Sequence, residues 1–205
     1  IIPARFREQP GKQPKELIMF ASHSHHGSSQ FKLAWMFLDR VHPSLLKTFF
    51  LLVLPLSMLP PAMLYYAGTY HGDAFASGFS GRNWGTIAGL FLLAELATVS
   101  VMGYIIRWIA SLNGAKVSQQ NAQMLAFAAP IPLWLSSLSL LYPNFFFSVA
   151  VCCAAFAIAC LIVFHGVEVL LQIQEDVAAA NIAYGIMGIG MIAWALLLII
   201  VIPIG

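Results

Sequence analysis

Residues 145–165 read FFFSVAVCCAAFAIACLIVFH, and none of these side chains is Asp, Glu, Lys or Arg. A helix needs about 20 consecutive apolar residues to cross the hydrocarbon core of a bilayer. The apolar residues of this stretch are continuous and do not alternate with polar ones, which argues against a strand of a membrane barrel. The stretch therefore predicts a membrane-spanning helix.

The composition of the whole chain agrees with this interpretation. Of its 205 residues, 60% are hydrophobic and 9% are charged, and the mean hydropathy is +0.83. An average soluble domain is about 45–50% apolar and about 25% charged, so these few charges could not cover a soluble domain of this size. The net charge of +2 gives no reason to expect a nucleic-acid partner. A soluble enzyme, a disordered chain and a basic nucleic-acid-binding protein are excluded.

Four further runs of similar length and hydropathy predict an all-α membrane bundle of five transmembrane helices. The predicted spans are residues 46–67, 84–109, 122–141, 145–165 and 177–202. They are joined by short polar connections, such as residues 68–83, that leave no room for a second domain. We expect residues 1–44 to form a cytoplasmic arm, with an interfacial helix at about residues 31–41, and residues 45–205 to form the transmembrane domain.

The basic residues predict how the spans are oriented. Lys and Arg concentrate in the cytoplasmic loops of membrane proteins. With a cytoplasmic N-terminus, nine of the ten basic residues face the cytoplasm and Arg82 alone faces out. We therefore predict a multi-pass protein of the cytoplasmic (inner) membrane whose C-terminus lies on the outer, periplasmic side.

Glu95 is a carboxylate near the middle of the second predicted span. On insertion scales a charged side chain at this depth costs about 2.5–3.5 kcal/mol. Glu95 could relay protons or bind a substrate or ion, or it could be a neutral group that hydrogen-bonds a neighbouring helix. No basic residue lies at the same predicted depth, so we expect Ser57 or a backbone carbonyl freed by a proline to be its partner.

Prolines interrupt the first and third predicted spans. They are Pro55, Pro60, Pro61, Pro130 and Pro132. Each one removes a helix hydrogen bond and predicts a kink. Because Pro55, Pro130 and Pro132 lie at the depth predicted for Glu95, the pattern is typical of transporters, in which helices are broken around a site at the bilayer midplane. Proline kinks are also common in membrane helices of other proteins, and no inverted repeat is evident among the five spans.

Glycines recur every four residues around the start of the second span, at Gly81, Gly85 and Gly89. Small residues at this spacing form a face on which two membrane helices can approach closely. The motif therefore predicts helix packing, either within the chain or against a partner chain.

A histidine cluster in the N-terminal arm consists of His23, His25 and His26. Imidazoles at this spacing can bind Cu or Zn, whereas the surrounding Ser and Gly residues are also typical of a flexible segment. Nothing else in the sequence predicts a metal ion, and nothing predicts a cofactor.

Scattered Pro, Gly and aromatic positions resemble those of a known family. They are His42-Pro43, Met102-Gly103, Arg107-Trp108, residues 127–132 (FAAPIP), residues 138–143 (LSLLYP), His165-Gly166-Val167 and residues 178–180 (AAA). Over roughly residues 41–202 the chain resembles the bacterial branch of the Yip1 family of five-span membrane proteins. The resemblance implies a five-helix bundle with a cytoplasmic N-terminus and no catalytic residues. The acidic and glycine-tyrosine motifs of the eukaryotic members are not evident, so their link to Rab GTPases and vesicle traffic is not carried over.

Packing motifs outnumber chemical ones in this sequence. We therefore predict a non-catalytic accessory or scaffold protein that contacts membrane lipids and packs against another integral membrane protein or against itself. The alternative is a small proton- or solute-coupled permease that uses Glu95. Such a permease would need a polar cavity between the first three spans.

Overall fold

A computed structural model describes residues 44–75, 77–173 and 175–201, and all regular structure in these residues is helical. Five helical segments are long and apolar enough to cross a membrane: Leu45–Phe75, Trp84–Leu112, Gln119–Leu141, Phe145–Val169 and Asp176–Ile199. The all-α fold and the five predicted spans are confirmed. The N-terminal arm, with the expected interfacial helix and the histidine cluster, lies outside the described residues.

Side-chain caps fix where three of the spans begin. Asn83, Ser118 and Asn144 each accept a hydrogen bond from the backbone N–H three residues further on, over 3.2, 3.1 and 3.0 Å. The first N–H groups of a helix have no partner inside the helix, and a capping side chain satisfies one of them. These caps place the starts of the second and fourth spans at the predicted residues, and the start of the third span three residues before the predicted one.

The first span is a series of short helical segments. They are an α-helix at Leu45–Thr48, a π-helix at Phe49–Val53, an α-helix at Leu54–Ser57 and an α-helix at Leu59–Phe75. Met58 separates the last two segments. Pro60 and Pro61 follow in the first turn of the last segment, where a missing N–H costs no intrahelical bond.

The third span is broken in the same way. It consists of α-helices at Gln119–Ala128 and Ile131–Ser136 and a 3₁₀-helix at Ser137–Leu141. Because Pro130 and Pro132 have no N–H, the carbonyls of Ala126 and Ala128 lose their usual donors four residues on. The second, fourth and fifth spans are unbroken helices, at Trp84–Leu112, Phe145–Val169 and Asp176–Val201.

The first span ends later than expected. We predicted a connection from residue 68, but the helix continues to Phe75. A Cβ atom at Gly68 would overlap the ring of Trp84, and one at Gly72 would lie 2.7 Å from the backbone nitrogen of Ser80. The chain after the helix therefore packs directly on these two glycines. This tertiary contact stabilises the last turns of the helix, whose polar residues had indicated a loop.

The spans are arranged as a ring around a central space. The second span contacts the first, third and fifth, the fourth contacts the third and fifth, and the first contacts the third. The larger of two clusters of buried apolar side chains in the described residues is built from the second to fifth spans and their connections. Ile106, Leu125, Val167 and Ile182 are among its fully buried members. Large apolar side chains such as Leu51 and Phe146 are exposed on the outer surface, as expected for helices that face lipid.

Candidate functional site

A cavity of about 180 Å³ lies between the spans. Residues from all five spans line it, among them Pro60, Glu95, Trp134, Phe156 and Trp194, and its wall is almost entirely apolar. The polar cavity between the first three spans that a permease would need is therefore not found in the described part of the chain. The second half of the broken third span packs against the fourth span, which in turn contacts the fifth. The fourth and fifth spans therefore add apolar side chains to the cavity wall.

Glu95 lies in the wall of this cavity and is 5% exposed. The side chain of Trp134 is close enough to interact with the carboxyl group, and its indole N–H can act only as a donor. The carboxyl oxygen Oε2 is buried and has no hydrogen-bond partner within residues 44–75, 77–173 and 175–201. At least one oxygen of this buried carboxyl group therefore lacks a partner among the described residues.

Ser57, the side chain expected to be the partner of Glu95, bonds elsewhere. The Ser57 hydroxyl donates to the backbone carbonyl of Leu54, over 3.0 Å, within its own helical segment. Sequence reasoning missed Trp134, although one signal was available. Trp134 is the tryptophan of the third span, and a buried indole N–H usually finds an acceptor.

The break in the third span positions Trp134. Its backbone N–H donates to the carbonyl of Pro130, over 3.0 Å, in the first turn after the break. The indole is 2% exposed and packs with Val53, Val99 and Phe127. Packing from three spans therefore holds the indole in the position from which it reaches Glu95.

The predicted proline positions separate into two groups. Pro60 and Pro130 line the cavity together with Glu95, so two of the helix breaks adjoin the buried carboxyl group. Pro61 is buried, Pro132 is half-buried, and Pro55 is exposed on the outside of the bundle.

The glycines at positions 81, 85 and 89 are all exposed. Gly81 lies in a 3₁₀ turn, Phe79–Gly81, before the second span. A Cβ atom at Gly81 or Gly89 would meet no atom within 4 Å, and one at Gly85 would meet only Asn83 Oδ1, at 3.6 Å. In the described part of the chain this face packs against no other span, and packing against a partner chain stays a prediction.

Close approaches inside the bundle occur at other glycines. A Cβ atom at Gly103 would overlap the side chain of Gln123, and one at Gly166 would overlap Leu125. Gln123 is buried, and its amide Nε2 donates to the carbonyl of Val99 over 3.1 Å. Gly103 thus makes room for a polar tie between the second and third spans.

Arg82 links the start of the second span to the end of the fifth span. Its Nη1 donates to the backbone carbonyl of Val201 over 2.6 Å, and its guanidinium carbon lies 5.5 Å from the ring centroids of Phe79 and Trp84. A positive charge is favourable at the C-terminal end of a helix, where carbonyl groups lack donors. Arg82 therefore fastens the end of the fifth span to the start of the second.

Metal binding was predicted for His23, His25 and His26, which lie outside the described residues. Within residues 44–75, 77–173 and 175–201, no group of three or more His, Cys, Asp or Glu side chains could hold a metal ion. The histidine cluster stays a prediction.

Comparison with known proteins identifies a related family. A family model described as "Yip1 domain" matches residues 32–197, which include the first four spans and most of the fifth. No curated protein and no solved structure matches the chain.

Proposed function

The chain belongs to the Yip1 domain family of membrane proteins and has five apolar spans, and we propose that it is a non-catalytic accessory or scaffold protein of the cytoplasmic membrane. It packs against another integral membrane protein or against a second copy of itself. The contact surface is the exposed glycine face of the second span, formed by Gly85 and Gly89.

The observation that supports this proposal is that the exposed glycine face has no partner in the described part of the chain. Glycine inside a helix costs about 0.5–1 kcal/mol relative to alanine. At Gly89 no contact within 4 Å makes use of the missing side chain. In membranes, small residues at four-residue spacing allow two helix backbones to approach closely, so a helix of another chain would make use of this face.

The test is the mass of the complex extracted from native membranes into polymer discs. We expect a dimer or a complex with a second membrane protein, and we expect Gly89→Leu to dissociate it. The matched control is Gly188→Leu, because Gly188 is also exposed in a span and has no atom within 4 Å of its Cβ position. A monomer without a co-purifying protein, or equal loss with both variants, would contradict the proposal.

A permease is the second candidate. The cavity lacks the polar wall that a permease was expected to need, but the buried Glu95 in that wall, with its unpartnered Oε2, favours this candidate. Proton-coupled flux into liposomes should fall in Glu95→Gln and persist in Glu168→Gln, since Glu168 is an exposed carboxylate outside the cavity wall. Absent flux in the parent protein, or unchanged flux in Glu95→Gln, would exclude the permease.

A further inference from the structure

The size of the central cavity limits what it can hold. Its volume is about 180 Å³, and a protein cavity of about 150 Å³ lined by apolar side chains accommodates benzene. The central cavity therefore has room for one aromatic ring, or a short alkyl chain, with a small substituent. It is partly open.

The polar content of the cavity is unbalanced. Glu95 is the carboxylate of the wall, and no Lys, Arg or His is among the described residues that line it. The indole of Trp134 lies near the carboxyl group, while Oε2 is buried without a partner in the described residues. An ionised Glu95 lacks a counter-charge, and a protonated one has no acceptor for its O–H. A bound cation with N–H donors would supply both the counter-charge and the hydrogen-bond donor that the ionised carboxylate lacks.

Aromatic rings form much of the remaining wall. Phe156 and Trp194 both line the cavity, and their ring centroids lie 6.3 Å apart. Phe91 and Trp134 also face the cavity. Aromatic faces attract ammonium groups through their quadrupoles and pack well against apolar rings and chains.

From these observations we infer that the central cavity binds a small hydrophobic ammonium ion. The ammonium group donates to Oε2 of Glu95, and the apolar part of the ion packs against Phe156 and Trp194. Binding at this site does not depend on the scaffold role, which uses the outer face of the second span. The permease, by contrast, would use the same cavity, and the ammonium ion would then belong to its substrate class.

The test measures equilibrium binding of 4-fluorobenzylammonium to the full chain in nanodiscs by ¹⁹F NMR. Empty nanodiscs report the partitioning of the probe into lipid. We expect saturable binding by the parent protein, at least about tenfold weaker binding by Glu95→Gln, and unchanged binding by Glu168→Gln. Neutral 4-fluorotoluene should bind the parent and Glu95→Gln equally.

A second variant tests the location without changing the charge. Gly190 lines the cavity, and a Cβ atom there would have its nearest contact at 3.9 Å, with Met102. Gly190→Leu should fill the cavity and abolish binding of both probes. No saturable binding by the parent, equal ammonium binding by parent and Glu95→Gln, or full binding by Gly190→Leu would each overturn the inference. Because the assay measures neither flux nor assembly, its failure is distinguishable from failure of either proposed function.

Discussion

Glu95 is buried among apolar side chains, and in the described part of the chain the indole of Trp134 is a neighbouring donor. An unpartnered polar group in a low-dielectric interior costs free energy that a hydrogen bond recovers. Trp134 is itself fixed by packing with Val53 and Val99. The two residues should therefore stabilise the bundle as a pair, and removal of one should change the contribution of the other.

We expect Trp134→Phe to lower the free energy of unfolding by about 1–3 kcal/mol, because it removes the donor while it retains most of the ring. Trp108→Phe is the control, since Trp108 is exposed. In a double-mutant cycle with Glu95→Leu, the double variant should lose less unfolding free energy than the sum of the losses of the two single variants. Additive effects in denaturant titrations would contradict the contact.

Gly103 provides a second prediction for a single residue. Gly103→Ala should destabilise the protein by about 1–3 kcal/mol, because the added methyl group overlaps the side chain of Gln123. Gly89→Ala is the matched comparison and should stabilise the isolated chain by about 0.5–1 kcal/mol, because no atom opposes it. Thermal unfolding in detergent measures both, and equal shifts would contradict the close approach at Gly103.

At the level of whole helices, the ends of the spans are held by polar groups. Asn83 and Asn144 cap the starts of two spans, and the amide Nδ2 of Asn121 donates to the carbonyl of Leu170 over 2.9 Å, which ties the third span to the fourth. Arg82 does the same for the fifth span at Val201. Lipid hydrocarbon offers no hydrogen bonds, so helix ends and breaks depend on such groups or on water.

Arg82→Ala should therefore loosen the end of the fifth span. We expect faster hydrogen exchange at the backbone amides of residues 197–201 and a loss of about 1–2 kcal/mol of stability, since a charge-assisted hydrogen bond is removed from a partly exposed site. Arg107→Ala serves as the control, because Arg107 is exposed at the opposite end of the second span. Unchanged exchange at these amides would show that the contact does not fasten the helix.

For the molecule as a whole, five spans form a ring with a central cavity, and the odd number of spans places the two ends of the bundle on opposite sides of the membrane. The distribution of Lys and Arg predicts which side is which. Arg82 and the connection after the first span belong to one side, and Lys116 belongs to the other.

This orientation can be tested by cysteine labelling. In a protein with Cys152, Cys153 and Cys160 replaced by Ala, we expect Ser77→Cys to react with a membrane-impermeant maleimide added to intact cells. Lys116→Cys should react only after the membrane is permeabilised. Both positions are exposed, so differences in burial do not confound the result. The reverse labelling pattern would show that the bundle has the opposite orientation.

The amino-acid sequence alone predicts the fold class, the number of spans and most of their starts, because hydropathy over about 20 residues and capping side chains are local properties. It also pointed to Glu95, because a carboxylate is conspicuous among apolar residues. The three-dimensional arrangement was needed to show that the first span continues to Phe75, that Trp134 lies beside Glu95, and that all five spans line the cavity. Lipid and protein interior are both apolar, so hydropathy shows which segments enter the membrane but not which face of each helix packs inward. That choice depends on the shapes of the facing side chains and on the few polar groups between them.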